Sequence, residues 1–299
     1  MITGDRLLSV QGSSAFERLQ LQKKYADIVV AYFGGATLFE PFQKAKGSFD
    51  VVTTQDPFWR GLIGLLIARM KGSRLNVQIH ADLDAQGFFK RAVSRLVLAR
   101  ANSVRVVSKK IQEQVARVGV RAPISVLPIF IDLDRLKSVS REHAPHTKKV
   151  IVWAGRFEEE KDPFLALKVF KEALSHGVDA ELHMLGAGSL GAQLKAEAGS
   201  LPVIFHPWQD PASFFASADV VLNTSKSEGY GAVIVEALAL GVPVVAPDVG
   251  IAKEAGAVVV SRGALAQGIV DVLSSGKKGE LKLSVLSKDE WAKEWVRTL

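Results

Sequence analysis

The chain of 299 residues contains no cysteine. That excludes disulfides, thiolate metal sites and a cysteine nucleophile, and it fits a reducing compartment. No basic segment followed by an apolar run opens the sequence, so no secretory signal is expected. Long apolar runs are also missing. Gly61–Met70 is the most apolar stretch, well short of the ~20 residues needed to cross a bilayer, and it reads as a buried helix. No His, Asp and Glu residues cluster at metal-ligand spacing, so no protein-held metal and no cofactor are expected.

Apolar residues make up 48% of the chain and charged residues 23%, the balance of a folded protein with material for two cores. The net charge of +7 is uneven. Residues 1–147 hold 22 Lys and Arg against 12 Asp and Glu, whereas residues 148–299 hold 16 against 19. The basic half suits a phosphate-rich partner or an anionic membrane surface, unless its charges only solvate helix faces. Aromatic residues are not interleaved with these charges, which argues against nucleic acid. The expected helix Phe88–Ala101 carries Lys90, Arg91, Arg95 and Arg100 beside an apolar face. That pattern fits peripheral contact with an anionic membrane, and a packed domain helix equally well.

Short β-branched runs alternate with helical ones. In the first half the strand-like runs are Asp27–Phe33, Asp50–Thr54, Leu75–His80, Ser103–Val107 and Ile124–Leu127. In the second they are Val150–Ala154, Glu181–Leu185, Val203–His206, Val220–Asn223, Val244–Ala246 and Ala257–Val260. Helix-like segments separate most of them. This alternation predicts an α/β protein with two Rossmann-like domains and mostly parallel sheets. The polar stretch Ser138–Lys149 reads as the linker, which places the domains at 1–145 and 146–299. An amphipathic last helix, about 287–299, carries Trp291 and Trp295 on one face. In open α/β sheets ligands bind beyond the carboxyl ends of strands, so functional residues are sought there.

The densest such segment is Ser227–Gly250. Gly229 and Gly231 bracket Tyr230, allowing close backbone approach to a ligand. The helix that starts near Gly231 would offer free N–H groups to a phosphate. Glu236 lies eight residues after Glu228, where a carboxylate can accept from ribose hydroxyls, and Glu228 would face what lies beyond the phosphates. The plainer alternative makes Glu228 a helix cap and Glu236 a solvated side chain. After the first strand of the second half, Arg156 and Lys161 flank a loop and could clamp a diphosphate. They could also pair with Glu158, Glu159 and Glu160. Asp162-Pro163 reads as a helix start. His80 ends a strand and could bond a sugar or an acceptor, with Asp82 orienting it or capping a turn. Gly186-Ala187-Gly188 is a further glycine-rich strand end. Gly12-Ser13-Ser14 could approach a ligand, and His183 and His206 look structural.

Together, Glu228 and Glu236, the Gly155–Lys161 loop, His80 and the Leu127–Asp132 junction resemble the family 4 glycosyltransferases, retaining enzymes with the GT-B fold. The resemblance implies two Rossmann-like domains facing across a cleft: an acceptor domain first, a nucleotide-sugar donor domain second, and a last helix crossing back to the first. It implies that Arg156 and Lys161 neutralise the donor diphosphate, Glu228 holds the sugar, Glu236 binds the ribose, and His80 lies at the reaction centre. Gly186, Gly229, Tyr230 and Gly231 complete the implied donor site. The implied activity is retaining, metal-independent transfer of a hexose-type sugar to a glycan or lipid-linked acceptor. It would take place in the cytoplasm or at the inner face of the membrane. A nucleotide-sugar epimerase on the same fold and a non-catalytic nucleotide-sugar-binding protein are the alternatives. The sequence departs from the family where only Met1–Thr3 stand for the first strand, and where Ile129-Phe130 replaces an Asn-Gly pair.

Overall fold

The computed structural model describes residues 1–34, 38–139 and 148–299. The chain forms two compact units. One comprises residues 1–130 and 286–299, the other residues 131–285.

The first unit runs β1 (Ile2–Thr3), α1 (Ser14–Lys23), β2 (Ala31–Tyr32), α2 (Glu40–Lys44), β3 (Val51–Thr54), α3 (Trp59–Lys71), β4 (Arg74–Ile79), α4 (Phe88–Leu98), β5 (Ser103–Val106), α5 (Lys109–Arg117) and β6 (Ile124–Val126). The second runs α6 (Leu133–Lys137), β7 (Lys149–Ala154), α7 (Pro163–Ser175), β8 (Ala180–Leu185), α8 (Gly191–Ala198), β9 (Val203–His206), α9 (Ala212–Ser217), β10 (Val220–Leu222), α10 (Ala232–Ala239), β11 (Val244–Ala246), α11 (Ala252–Ala255), β12 (Val258–Val259) and α12 (Leu265–Ser275). The last helix, α13 (Lys288–Arg297), belongs to the first unit.

Each unit is built on a six-stranded sheet whose paired strands are all parallel. The order is β2-β1-β3-β4-β5-β6 in the first and β12-β11-β10-β7-β8-β9 in the second. In the second sheet the direction of winding reverses between β7 and β10, which pair Ile151 with Val220 and Val152 with Val221. That reversal opens the crevice in which such sheets bind ligands. These strands are mostly apolar, as expected of a parallel sheet covered by helices. Phe170, Met184, Leu182 and Ile151 are fully buried in this core.

The run Asp27–Phe33 yields only the two-residue strand β2. Its neighbour β1 offers just Ile2 and Thr3 as partners, opposite Ala31 and Tyr32. The first strand is thus short but internal, between β2 and β3. Gly12-Ser13-Ser14 is a helix start: Ser13 caps α1, its Oγ accepting from the Phe16 N–H at 3.1 Å. The unit boundary falls at 130/131, ahead of the sequence-based boundary at 145. Asp132 caps α6, Leu136 is buried, and Arg135 pairs with Asp210, so these residues join the second unit. Residues 140–147 of the expected linker lie outside the described residues.

Ser287 and Glu290 form a capping box that starts α13. Trp295 and Trp291 are buried with Leu21 and Leu127. The Trp291 indole donates to the Pro128 carbonyl at 2.8 Å, and Asn76 Nδ2 donates to the Thr298 carbonyl at 2.7 Å.

Candidate donor site

Two loops of the second unit carry most of the predicted site. One follows β7 and the other follows β10, so they flank the reversal point of the sheet. Lys161 comes from the first and Glu228 from the second. Lys161 Nζ lies 2.5 Å from Glu228 Oε1, and the Ser225 hydroxyl donates to the same oxygen at 2.8 Å. Both contacts fall on Oε1. Lys161 therefore pairs with the distant Glu228 rather than with its sequence neighbours. Arg156 does take a neighbour: its guanidinium binds Glu160 and stays largely exposed. Glu158 forms no ion pair among the described residues. It accepts from the Ser189 hydroxyl and N–H, at 2.7 and 2.8 Å, and these bonds hold its carboxyl below the usual range.

Asp162 shapes the first loop. It has φ +48°, the left-handed region that few non-glycine residues occupy, and its side chain caps α7 at the Leu165 N–H. Arg262 holds this conformation. Its guanidinium binds the Asp162 carboxylate and donates to the carbonyls of Thr224 and Ser225 at 2.7 and 3.1 Å. The Thr224 hydroxyl donates to the Lys161 and Asp162 carbonyls, both at 2.9 Å, and accepts from the Trp153 indole at 2.9 Å. One network thus fixes the two loops to each other.

Helix α10 begins at Gly231, whose φ of +96° puts it in the same left-handed region. The helix is buried except along Ala232, Val233, Glu236 and Ala239, so Glu236 is the single polar side chain on its accessible stripe. Tyr230 is not at the surface: it is 5% exposed, and burial pushes its phenol up to about 12. Gly229 and Gly231 on either side are buried as well, and the Tyr230 carbonyl accepts from the Ile251 N–H at 3.0 Å. Gly186 has a packing role. A Cβ there would stand 2.0 Å from the Gly155 carbonyl oxygen, so its absence lets the β7 loop close against the end of β8.

His80 lies in the first unit, just past β4. Its Nε2 is buried and has no hydrogen-bond partner among the described residues. Burial, then the charges of Arg105 and Arg18, hold the imidazole well below its usual range, so it is neutral at physiological pH. Arg18, Gln55, Gln78 and Arg105 line the same polar pocket. Arg105 is itself spoken for, donating to Gln78 and to the Leu127 and Pro128 carbonyls. Asp82 does not orient His80. It caps the following turn at the Asp84 and Ala85 N–H groups and accepts from Gln114 at 2.8 Å. His183 and His206 stack on each other at 5.1 Å beside Phe214, as a packing pair.

Two family models match the chain: a glycosyl transferase 4-like domain over residues 8–129 and glycosyl transferases group 1 over residues 148–275. Between them they take in both sheets. The chain belongs to the group 1, family 4-like glycosyltransferases. It is 27% identical over 248 residues to a Bacillus subtilis protein named for teichuronic acid biosynthesis, TuaC, covering 80% of this chain and 57% of that one. It is 29% identical over 195 residues to a GDP-mannose-dependent phosphatidylinositol dimannoside mannosyltransferase of Mycobacterium tuberculosis, covering 62% and 51%. The chain thus spans little more than half the length of these relatives. Among solved structures, Anabaena HepE in complex with UDP and glucose superposes with a TM-score of 0.70 at 17% identity, over 100% of this chain and 99% of that one. The lipopolysaccharide outer core galactosyltransferase WaaB superposes at 0.64 and 17% identity, over 99% and 94%. At these identities the likeness establishes the fold, which is GT-B.

Sequence reasoning missed Arg262, Thr224 and Ser225. Thr224 and Ser225 sit one residue ahead of the segment that starts at Ser227, and their place after β10 was a usable signal. Arg262 acts on residues up to 100 positions away, and nothing local marks it.

Proposed function

We propose that this chain transfers a hexose-type sugar from a nucleotide-diphosphate sugar to a glycan or lipid-linked acceptor of the cell envelope. Transfer retains configuration and uses neither a metal ion nor a cofactor. The observation that carries this reading is the Lys161–Glu228 contact at the reversal point of the second sheet. A cation and a carboxylate are held there with the open start of α10 beside them. A diphosphate entering the crevice would draw the Lys161 ammonium from Glu228, and Arg156 would add a second cation. Glu228 would then turn to the sugar hydroxyls, and Glu236 to the ribose.

Cleavage of the bond between sugar C1 and the phosphate oxygen leaves negative charge on the nucleoside diphosphate. Preplaced cations and helix N–H groups stabilise that charge as it develops, the task a metal performs elsewhere. The acceptor oxygen bonds C1 on the face the phosphate leaves, and its proton passes to the departing phosphate oxygen. His80, neutral and with Nε2 unengaged, would hydrogen-bond the sugar or the acceptor. The mycobacterial relative's name speaks of GDP-mannose, and the HepE structure holds UDP, so the base is left open. Work on an envelope acceptor would place the protein at the inner face of the membrane.

The test is donor hydrolysis without acceptor, in EDTA, with the released sugar followed by proton NMR. First appearance of the donor's own anomer supports the reading. The opposite anomer, or turnover that EDTA abolishes, refutes retention or metal independence respectively.

A further inference from the structure

The first sheet reverses its winding as the second does. In the order β2-β1-β3-β4 the chain runs from β1 to β2 on one side and returns to β3 on the other. The crevice of this sheet therefore opens at the carboxyl ends of β1 and β3. Gly4 and Asp5 follow β1 there, Gln55 and Asp56 follow β3, and Arg60 is the second residue of α3. Arg60 is held across the crevice. Its Nη1 donates to Asp56 Oδ2 at 2.5 Å, and Asp56 Oδ1 accepts from the Phe58 N–H at 2.8 Å. Asp56, 8% exposed, thus turns the chain into α3 and fixes the guanidinium as well. The guanidinium reaches β1: a Cβ on Gly4 would stand 1.9 Å from Nη2 and 2.8 Å from Nε. A glycine at the end of β1 is what leaves room for it.

An Asp–Arg pair four residues apart is ordinary at the start of a helix. How little of this arginine is used is not. A guanidinium carries five N–H groups, and among the described residues only Nη1 makes a bond, to Asp56. Nε is buried without a partner. Nε and Nη2 present their N–H groups along one edge, the edge that takes both oxygens of a carboxylate or a phosphate. The side chain is 34% exposed, within reach of a ligand. Asp5, the acid that follows β1, does not take this edge: it accepts from the Leu7 N–H at 3.1 Å and pairs with Arg18 at 3.9 Å.

We propose that Arg60 binds an anionic group of the sugar acceptor, a carboxylate or a phosphate. The inference rests on the transfer reaction proposed above and narrows its acceptor to one that carries negative charge. Its place in the sheet supports it. Strand β4, which leads into His80, lies beside β3, and Gln55, next to Asp56, lines the pocket that holds His80. Charge selects the ligand: a bond from a guanidinium to an anionic oxygen is about twice as strong as one to a neutral group, and a parallel pair of such bonds also fixes the orientation of what it holds. Arg60 would thereby set how the acceptor lies at the carboxyl end of the first sheet.

The test is isothermal titration of the whole protein, with no nucleotide sugar present, against methyl glucuronide, glycerol 1-phosphate and the neutral methyl glucoside. At least one anion should bind, the glucuronide marking an acidic sugar and the phosphate a phosphorylated acceptor. The glucoside should bind about tenfold more weakly or not at all. Arg60→Gln should weaken the anion about tenfold or more. Gly4→Ala should do the same with the arginine and its charge still present, because the methyl group takes the place of the guanidinium. Lys161→Ala should keep the binding, which separates this site from the cations of the second unit. A wild type that binds neither anion, a glucoside that binds as tightly, binding unchanged in Arg60→Gln or Gly4→Ala, or binding lost in Lys161→Ala would each overturn the proposal. Donor hydrolysis by the wild type decides the transfer reaction separately: where hydrolysis is seen and Arg60-dependent anion binding is not, this inference alone fails.

Discussion

Lys161 and Glu228 stand 67 residues apart in sequence and 2.5 Å apart in space, joining the loops that follow β7 and β10. Their side chains are 21% and 12% exposed. Each partner keeps the other's charge compensated at a place where a ligand is expected. Removing either partner alone would leave the other as a part-buried charge without compensation, which costs stability.

Glu228→Gln keeps an oxygen for both Lys161 and Ser225 and loses the negative charge. Its stability should stay within about 1 kcal/mol of wild type, while turnover of the donor falls by roughly 10²–10³. Lys161→Ala leaves a part-buried carboxylate without its cation. It should cost both about 1–3 kcal/mol of stability and the donor affinity. Urea melts together with donor hydrolysis rates check both.

Arg262 ties together the loops that carry Lys161 and Glu228 through Asp162, Thr224 and Ser225. Arg262→Ala strands the buried carbonyls of Thr224 and Ser225, at about 1–3 kcal/mol. Donor KM should rise with kcat nearly unchanged. Arg262→Lys should not rescue it, because one ammonium cannot replace a fork that binds two carbonyls and a carboxylate.

Two glycines separate packing from backbone freedom. Gly186→Ala drives a methyl group against the Gly155 carbonyl, with an expected loss of about 1–3 kcal/mol. Around Gly263 nothing lies within 4 Å of an added Cβ, so Gly263→Ala should fall within about 0.5 kcal/mol of wild type. Equal melting temperatures for the two variants would contradict the close approach of the loop to β8.

The buried His80 sets a pH dependence. Its folded pKa is depressed below the unfolded value, near 6.5, so the unfolded chain binds more protons as acidity increases. The stability tied to this group is complete above about pH 6.5 and is lost as pH falls toward the folded pKa, by at most ~1.4 kcal/mol per pH unit. His206, depressed by burial and then by His183, acts in the same direction. Melts from pH 7.5 to 5 should show a shallower slope for His80→Gln than for wild type.

Much of this architecture was legible because buried parallel strands are apolar runs and their helices begin where those runs stop. Val203–His206 and Val244–Ala246 match the expected limits without change. The misses have physical causes. Helix α1 mixes Glu17, Arg18, Gln20, Gln22 and Lys23 among its apolar residues and shows a weak apolar period; what marks it is its Ser13 cap. Strand β2 is short because β1 gives it two partners. At the site, Lys161, Glu228 and Glu236 could be read from their places after strands. The burial of Tyr230, the packing role of Gly186 and the reach of Arg262 depend on contacts between segments far apart in sequence.

The central claim is a nucleotide-sugar site held by Lys161, Glu228 and Glu236. It is tested most directly by thermal stabilisation against UDP-, GDP- and ADP-sugars in EDTA. One donor at about a hundred times its Kd should contribute roughly 2.7 kcal/mol, a rise of several degrees, which Lys161→Ala and Glu236→Ala should abolish. A wild-type protein that melts at one temperature with every donor, or variants that keep the full shift, would contradict it.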